Sequence, residues 1–500
     1  MKPTATTMSI FIRLPLLILS VTIISSCQKS GTSKNLSEDD SKMLFTLVEP
    51  SESGIEFSNN IIESVRQNVT NYDYYYNGSG LAVGDINNDG LDDIFFAGNK
   101  ELNTLYLNKG NLKFEDISET AGIQSNLWST GVTMVDINND GFLDIYVCNS
   151  AYSDIKDRTN KLYINNGNLT FTEQAEAYGI ANSGYSSQAS FFDYDKDGDL
   201  DLILMNHSVF QLLGKWLQRI RNMSLEEKYF HSPNLYKNNG DNTFTDVSQE
   251  AGILNPSFGL GLVTSDLNHD GWTDIYIAND YFLPDYYYIN DKNGSFIESV
   301  KEKTGHTSFF SMGADAADFN NDGLQDIFTT SYSLAQRSRL YINNGQGGFT
   351  DQTDQRGLMG MVGGLNNIHA DFNNDGLTDI FIMRGAWLGN NGQIPNSLLL
   401  NKGGCIRTAI PNEGTIMWTL GTKVTGREFK KKYKLDYKTL MQYEHVNTSD
   451  DIEKVLDYFF ERSERSVYGL SKGLAFYRFY EHKNPRIELA KAYLASREKV

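Results

Sequence analysis

Three cysteines and nine prolines in 500 residues set the first exclusions. A disulfide scaffold of this length would need many more half-cystines, so burial and hydrogen bonding have to carry the fold. Cys148 sits in an apolar stretch and reads as a small buried hydrophobe. Basic charge is also scarce: 44 Lys and Arg face 63 Asp and Glu, a formal net charge of −19. Nucleic acid, whose binding rests on phosphate neutralisation, is therefore excluded as the expected partner. The seven histidines, His207, His231, His269, His306, His369, His445 and His482, show neither zinc spacing nor a clear nucleophile partner. Catalysis has little support.

What the chain has instead is one acidic nine-residue loop written six times. It starts at Asp85, Asp136, Asp193, Asp266, Asp318 and Asp371, with Asp or Asn at positions 1, 3, 5 and 9 and Gly at position 6. Alternating carboxylates and amides around a sharp bend are what a hard, oxygen-seeking cation requires, with position 7 offering its main-chain carbonyl. The expected calcium ligands are Asp85, Asn87, Asp89, Leu91 and Asp93; Asp136, Asn138, Asp140, Phe142 and Asp144; and Asp193, Asp195, Asp197, Asp199 and Asp201. The later loops offer Asp266, Asn268, Asp270, Trp272 and Asp274; Asp318, Asn320, Asp322, Leu324 and Asp326; and Asp371, Asn373, Asp375, Leu377 and Asp379. Up to six structural calcium ions are expected.

An EF-hand would carry a bidentate Glu at position 12 and continue as a helix. Position 12 here is Phe96, Val147, Leu204, Ile277, Thr329 or Ile382, inside short β-branched and aromatic stretches that read as strands. Each loop therefore joins two strands. The loop starts differ by 51, 57, 73, 52 and 53 residues, a propeller-blade period.

Two further signatures recur in phase. Leu105-Tyr106-Leu107-Asn108-Lys109-Gly110 is echoed from Leu162, Leu235, Tyr287, Leu340 and Leu398, each a strand entering an Asn/Gly hairpin. A Phe strand follows at Phe114, Phe171, Phe244, Phe296 and Phe349, in most copies with a Gly further on, as in Ala121-Gly122-Ile123. One blade is thus a loop hairpin plus an Asn-Gly hairpin, four strands in all. The sixth Phe strand is found at the front, Phe45 to Val48 with its corner Ser53-Gly54-Ile55, so that a donated strand closes the ring and removes a sheet edge. The expected fold is all-β: a propeller of six four-stranded blades over residues 42–404, with seven as the alternative.

The repeated loops and strands resemble FG-GAP/VCBS repeat proteins, whose calcium-binding blades are also those of the integrin α-subunit head. Tyr74-Tyr75-Tyr76-Asn77-Gly78-Ser79-Gly80 and the Ala-Gly-Ile corners look like bacterial ASPIC/UnbV-type propeller lipoproteins. The resemblance implies a calcium-binding β-propeller and, in some relatives, extracellular ligands.

At the amino end Lys2 and Arg13 flank or interrupt an apolar run from Ile10 to Ile24, followed by Ser25-Ser26-Cys27. This reads as a signal peptide over residues 1–26, too short and too early for a membrane span, ending in a bacterial lipobox. Cys27 would then carry acyl chains, and residues 27–41 a flexible tether to the outer membrane of a cell envelope.

Between the third and fourth loops, Leu212, Leu213, Trp216, Leu217 and Ile220 fall at helical spacing, a short amphipathic helix that either packs on a blade edge or covers a ligand. Tyr72 to Tyr76 and Tyr281 to Tyr288 are aromatic enough to stack on sugars, or to be ordinary strand residues. From Cys405 the composition breaks and turns slightly basic; helices are expected near Ile452–Arg462, Leu474–Tyr480 and Ile487–Arg497, an α-rich tail of unknown role. The functional expectation is a calcium-stabilised binding or adhesion module for a glycan or protein. The alternative class is a polysaccharide-degrading lyase or glycosidase, which would need a carboxylate pair outside the six loops.

Overall fold

Strands form where the repeats place β-branched and aromatic residues, and they end where Asx-Gly bends force the chain to reverse. The computed structural model describes residues 45–401 except 66, 152–153, 210–215, 334–335, 359–360 and 385–395, together with three strands of the tail. Blade 1 comprises Leu81–Gly84, Asp93–Phe96, Thr104–Asn108 and Phe114–Asp116. Blade 2 is Ser129–Val135, Asp144–Asn149, Lys161–Asn165 and Phe171–Glu173. Blade 3 is Ser186–Phe192, Asp201–Asn206, Asn234–Asn238 and Phe244–Asp246. Blade 4 is Gly259–Ser265, Asp274–Asn279, Tyr286–Asn290 and Phe296–Glu298. Blade 5 is Ser311–Ala317, Asp326–Ser331, Arg339–Asn343 and Phe349–Asp351. Blade 6 is Gly364–Ala370, Asp379–Arg384 and Ser397–Leu399. Every blade is an antiparallel meander, and together they make the six-bladed propeller that the period of the loops implies.

First strands of successive blades lie side by side from blade 1 to blade 6. Glycine permits this approach. A Cβ on Gly131 would stand 2.4 Å from the Ser187 carbonyl oxygen, and one on Gly261 2.4 Å from the Ala314 amide nitrogen. The core is accordingly a set of layers between blades rather than one centre: Tyr146, Cys148, Leu162 and Ile164 of blade 2 pack on Leu202, Leu204, Tyr236 and Phe244 of blade 3. Equivalent layers fill the gaps between blades 1 and 2, 3 and 4, 4 and 5, and 5 and 6. Cys148 is free and fully buried in its layer, as its apolar neighbours require.

The corner glycines join one blade to the next. The Phe244 amide donates to the Tyr178 carbonyl at 2.8 Å, and the Phe296 amide to the Ala251 carbonyl at 2.9 Å. Gly54, with φ +81°, stands against the Phe114 carbonyl of blade 1, the place that Gly179 and Gly252 take on blades 3 and 4. The front corner therefore sits where the corner of a preceding blade belongs. Its strand is a correction: Phe45–Val48 is irregular chain leading into a one-turn helix, Pro50–Ser53, and blade 6 has three strands among the described residues. Proline at the helix start and two acidic residues nearby favour the turn over an extended strand.

In the long insertion the chain makes two helices, Trp216–Arg221 and Leu225–His231. The first agrees with the apolar spacing; the second is nucleated by the Ser224/Glu227 capping box. Ile220 packs with Met223, Phe258 and Leu283, beside the loops that flank the first two strands of blade 4, while Leu212 and Leu213 lie outside the described residues. The tail departs from expectation at Ala475–Tyr480, which is strand, Leu474 lying outside the described residues: Ala475–Lys483 pairs with Glu461–Gly469 and with Ile406–Pro411 in a separate sheet. Four aromatics in Ala475–Tyr480 suit a pleated surface better than a helix. Ile487–Arg497, most of Ile452–Arg462, the signal segment, Cys27 and the tether lie outside the described residues.

Candidate metal loops and the capped face

In a four-stranded meander the bends between strands 1 and 2 and between strands 3 and 4 share one end of the blade, and the other connections share the opposite end. The six acidic loops therefore gather on one face. Within each loop the position-1 carboxylate closes the turn, accepting the position-6 glycine N–H at 2.7–3.1 Å, as Asp85 does from Gly90 and Asp193 from Gly198. The position-5 carboxylate accepts the position-7 N–H, as Asp140 does from Phe142 and Asp270 from Trp272, both at 2.9 Å. Positions 4 and 6 are left-handed, exemplified by Asn139 at φ 58° and Gly141 at φ 89°. That conformation turns positions 1, 3 and 5 onto one side of the loop.

Position 9 lies deeper. Asp144 and its equivalents Asp201, Asp274, Asp326 and Asp379 are fully buried, and Asp93 nearly so. Asp144 Oδ2 accepts the Ile137 N–H at 3.2 Å and Oδ1 the Asn165 N–H at 2.7 Å. Burial first, then the neighbouring loop carboxylates, push Asp144, Asp201 and Asp274 up to about 7 and Asp326 to about 6. Such a carboxylate gains from a positive partner. Orphaned oxygens point the same way: Asp193 Oδ1 and Asn373 Oδ1 are buried without a hydrogen-bond partner. The donor set is hard oxygen throughout, and in loop 3 the carboxylates of Asp193, Asp195 and Asp197 converge within 4.8 Å. These residues fit a divalent oxygen-seeking ion.

The asparagine of the Leu-Tyr-x-Asn strand was legible in the sequence as a turn residue only. In the fold its amide crosses to the preceding blade: Asn165 Nδ2 donates to Ile86 O, Asn290 Nδ2 to Tyr194 O and Asn343 Nδ2 to Leu267 O, each at 2.8 Å. Loops 1, 3, 4 and 5 are thereby fastened to the next blade through their position-2 carbonyls, the last by Asn401 Nδ2 donating to Phe319 O at 3.1 Å. Lys237 was also missed, although it breaks a Leu/Ile repeat position.

At the opposite end, residues preceding blade 1 lie across the propeller as a cap. Tyr72, Tyr74, Tyr75 and Trp128 form a buried cluster that also takes in Ala151, Leu260 and Tyr281 from blades 2 and 4. Tyr72 Oη is 3.2 Å from both Ser150 Oγ of blade 2 and His207 Nε2 of blade 3. Tyr281 Oη donates to Asp73 at 3.0 Å, and Asn59 Nδ2 to Asn99 of blade 1 at 2.7 Å. His207, fully enclosed, is held down to about 3 by burial. Stacking on sugars by Tyr72, Tyr74, Tyr75, Tyr287 or Tyr288 is ruled out by their burial. Asp73 and Asp280, carboxylates outside the loops, are both held by Tyr281, through its hydroxyl and its N–H. Solvent on this face meets a different group, Phe282 at 56% exposure and Phe309 at 37%, with the Phe310 ring edge-on to Phe282 at 5.0 Å.

Residues 72–147, 151–204, 266–329 and 318–382 match the FG-GAP-like repeat family, two of the matches beginning at position 1 of a loop. Cartilage acidic protein 1 of Homo sapiens is 23% identical over 61% of this chain and 56% of its own length. The Mus musculus protein is 22% identical over 62% and 48%. The chain spans about half the length of these curated relatives. Among solved structures, an Agrocybe aegerita lectin that recognises non-reducing terminal N-acetylglucosamine is 16% identical over 64% of this chain and 79% of that one, with a TM-score of 0.36. The V. cholerae biofilm matrix protein Bap1 is 13% identical over 54% and 38%, with a TM-score of 0.29.

Proposed function

The chain is an FG-GAP β-propeller, and from that premise we propose that it is a calcium-stabilised extracytoplasmic binding module, carried on an acylated Cys27 and presenting the face opposite its acidic loops to a glycan or protein. The observation that carries the reading is the division of labour between the two ends of the blades. One end concentrates carboxylates that repel one another until a cation enters, and four of the six loops are tied to the neighbouring blade by an asparagine amide. The other end is covered by a packed cap and leaves Phe282 and Phe309 in solvent. Exposed aromatic groups on rigid loops are the usual anchors of recognition. Support for the envelope comes from Lys2, Arg13, the apolar run to Ile24 and Cys27, and the acidic surface disfavours nucleic acid.

Calcium acts here by binding the folded hairpins and not the unfolded chain, which raises stability by mass action. A glycan and peptide array probed with the purified protein, with calcium and with chelator, tests the whole reading. Binding is expected in calcium, and both removal of the ion and the double variant Phe282→Ala/Phe309→Ala should abolish it while the variant keeps the wild-type melting temperature. Binding that survives both would place the recognition surface elsewhere.

A further inference from the structure

Blade 3 departs from the other five at two repeat positions, and the two departing side chains touch. Position 3 of the loop is Asn87, Asn138, Asn268, Asn320 or Asn373 elsewhere but Asp195 here. The residue before the strand asparagine is Leu107, Ile164, Ile289, Ile342 or Leu400 elsewhere but Lys237 here. In four of the asparagine loops the position-3 amide donates to the position-5 carboxylate at 2.8–3.1 Å. Asp195 lacks the amide N–H that makes this bond. Lys237 Nζ takes over that bond, reaching Asp197 Oδ2 at 3.1 Å while it is also hydrogen-bonded to Asp195 Oδ2.

The rest of the loop is rearranged to match. In the other five loops the position-5 N–H donates to the position-1 Oδ1 at 2.9–3.1 Å. The Asp197 N–H keeps only its bond to the position-3 oxygen, Asp195 Oδ1, which four asparagine loops also make, and Asp193 Oδ1 is left buried and unpaired. Two other lysines come near: Lys196 lies over the Trp272 ring at 4.5 Å, and Lys292 of blade 4 meets a single loop carboxylate, Asp270, which keeps its asparagine donor. Only Lys237, among the described residues, bridges two carboxylates of one loop.

Resting on the calcium reading, we propose that Lys237 is the built-in cation of the third loop: its ammonium holds Asp195 and Asp197, an entering calcium ion has to displace it, and this loop fills last of the six. The ion that displaces it gains the unpaired Asp193 oxygen, which is why the loop remains a site at all.

Calcium titration of the full chain, wild type against Lys237→Leu, reads the order of filling. Wild type should show five tight sites and one at least tenfold weaker, and Lys237→Leu should move the weak site into the tight class. Six equal wild-type sites, or a weak class unchanged by Lys237→Leu, overturns the proposal. Thermal melts in chelator test the ammonium independently of calcium. Lys237→Leu should lower Tm by about 1–3 °C, and Lys237→Leu/Asp195→Asn, which restores the pattern of the other blades, should recover it. If wild type takes up no calcium, the calcium reading falls, and these melts alone decide whether Lys237 is the loop's counter-charge. No loss in the single variant, or a loss that Asp195→Asn leaves in place, overturns it.

Discussion

Asp144, Asp201 and Asp274 are the residues at which charge and fold conflict most directly. Burial lifts each from the ordinary 3.8 to about 7 in the metal-free chain. The folded state then holds protons that the unfolded chain has already released, so the stability these groups add is complete below about pH 4 and is lost as pH rises through about 7. A bound cation removes the loss, because the ionised form gains its partner. The Tm difference between calcium and chelator should therefore widen from pH 4.5 to pH 7.5; a constant gap would show that position 9 plays no part in binding the ion. Glycines separate along another line. Gly141 has φ +89° and open space where a Cβ would be, so Gly141→Ala meets only backbone strain, about 1 kcal/mol. At Gly131 the added Cβ would collide with the Ser187 main chain of the next blade, and Gly131→Ala should cost about 2 kcal/mol or more. Denaturant midpoints of the two variants distinguish a loop requirement from an inter-blade one, and equal losses would contradict the packing argument.

Elements differ in how much of them the local sequence carries. The loop hairpins and the Leu-Tyr-x-Asn strands were readable because each needs only its own nine or six residues: Asx turns and a glycine bend fix the loop, and alternation fixes the strand. The cap was not readable, since its meaning lies in contacts with blades 1 to 4 that are 40 to 208 positions away in the chain. Its tyrosines could equally have been surface groups. Tyr72→Phe tests the cap as an element: it removes the hydroxyl that lies between Ser150 and His207, both buried, and should cost about 1–3 kcal/mol in a denaturant melt. An unchanged midpoint would mean that the cap lies on the blades without fastening them. Strand Ala475–Lys483 illustrates the opposite error, a helix expected from composition at a place where pairing with two other segments sets the conformation.

For the molecule as a whole, six repeats that cannot bury their faces alone become stable by stacking, and the buried layers alternate with the blades. Removing calcium should therefore act globally: chelator is expected to lower Tm cooperatively in one transition, and a separate low-temperature step in calorimetry would show that the loops melt apart from the blades. By itself the sequence determined the period of the blades, the meander of strands within a repeat and the oxygen-rich character of the loops, because these follow from periodicity and turn chemistry over short spans. Only the tertiary structure decided which face is capped, which aromatics are core, where the front corner docks and that Lys237 meets Asp195. Those outcomes depend on surfaces brought together by ring packing, and nothing in a local window of residues encodes which distant carbonyl, hydroxyl or ammonium will be there.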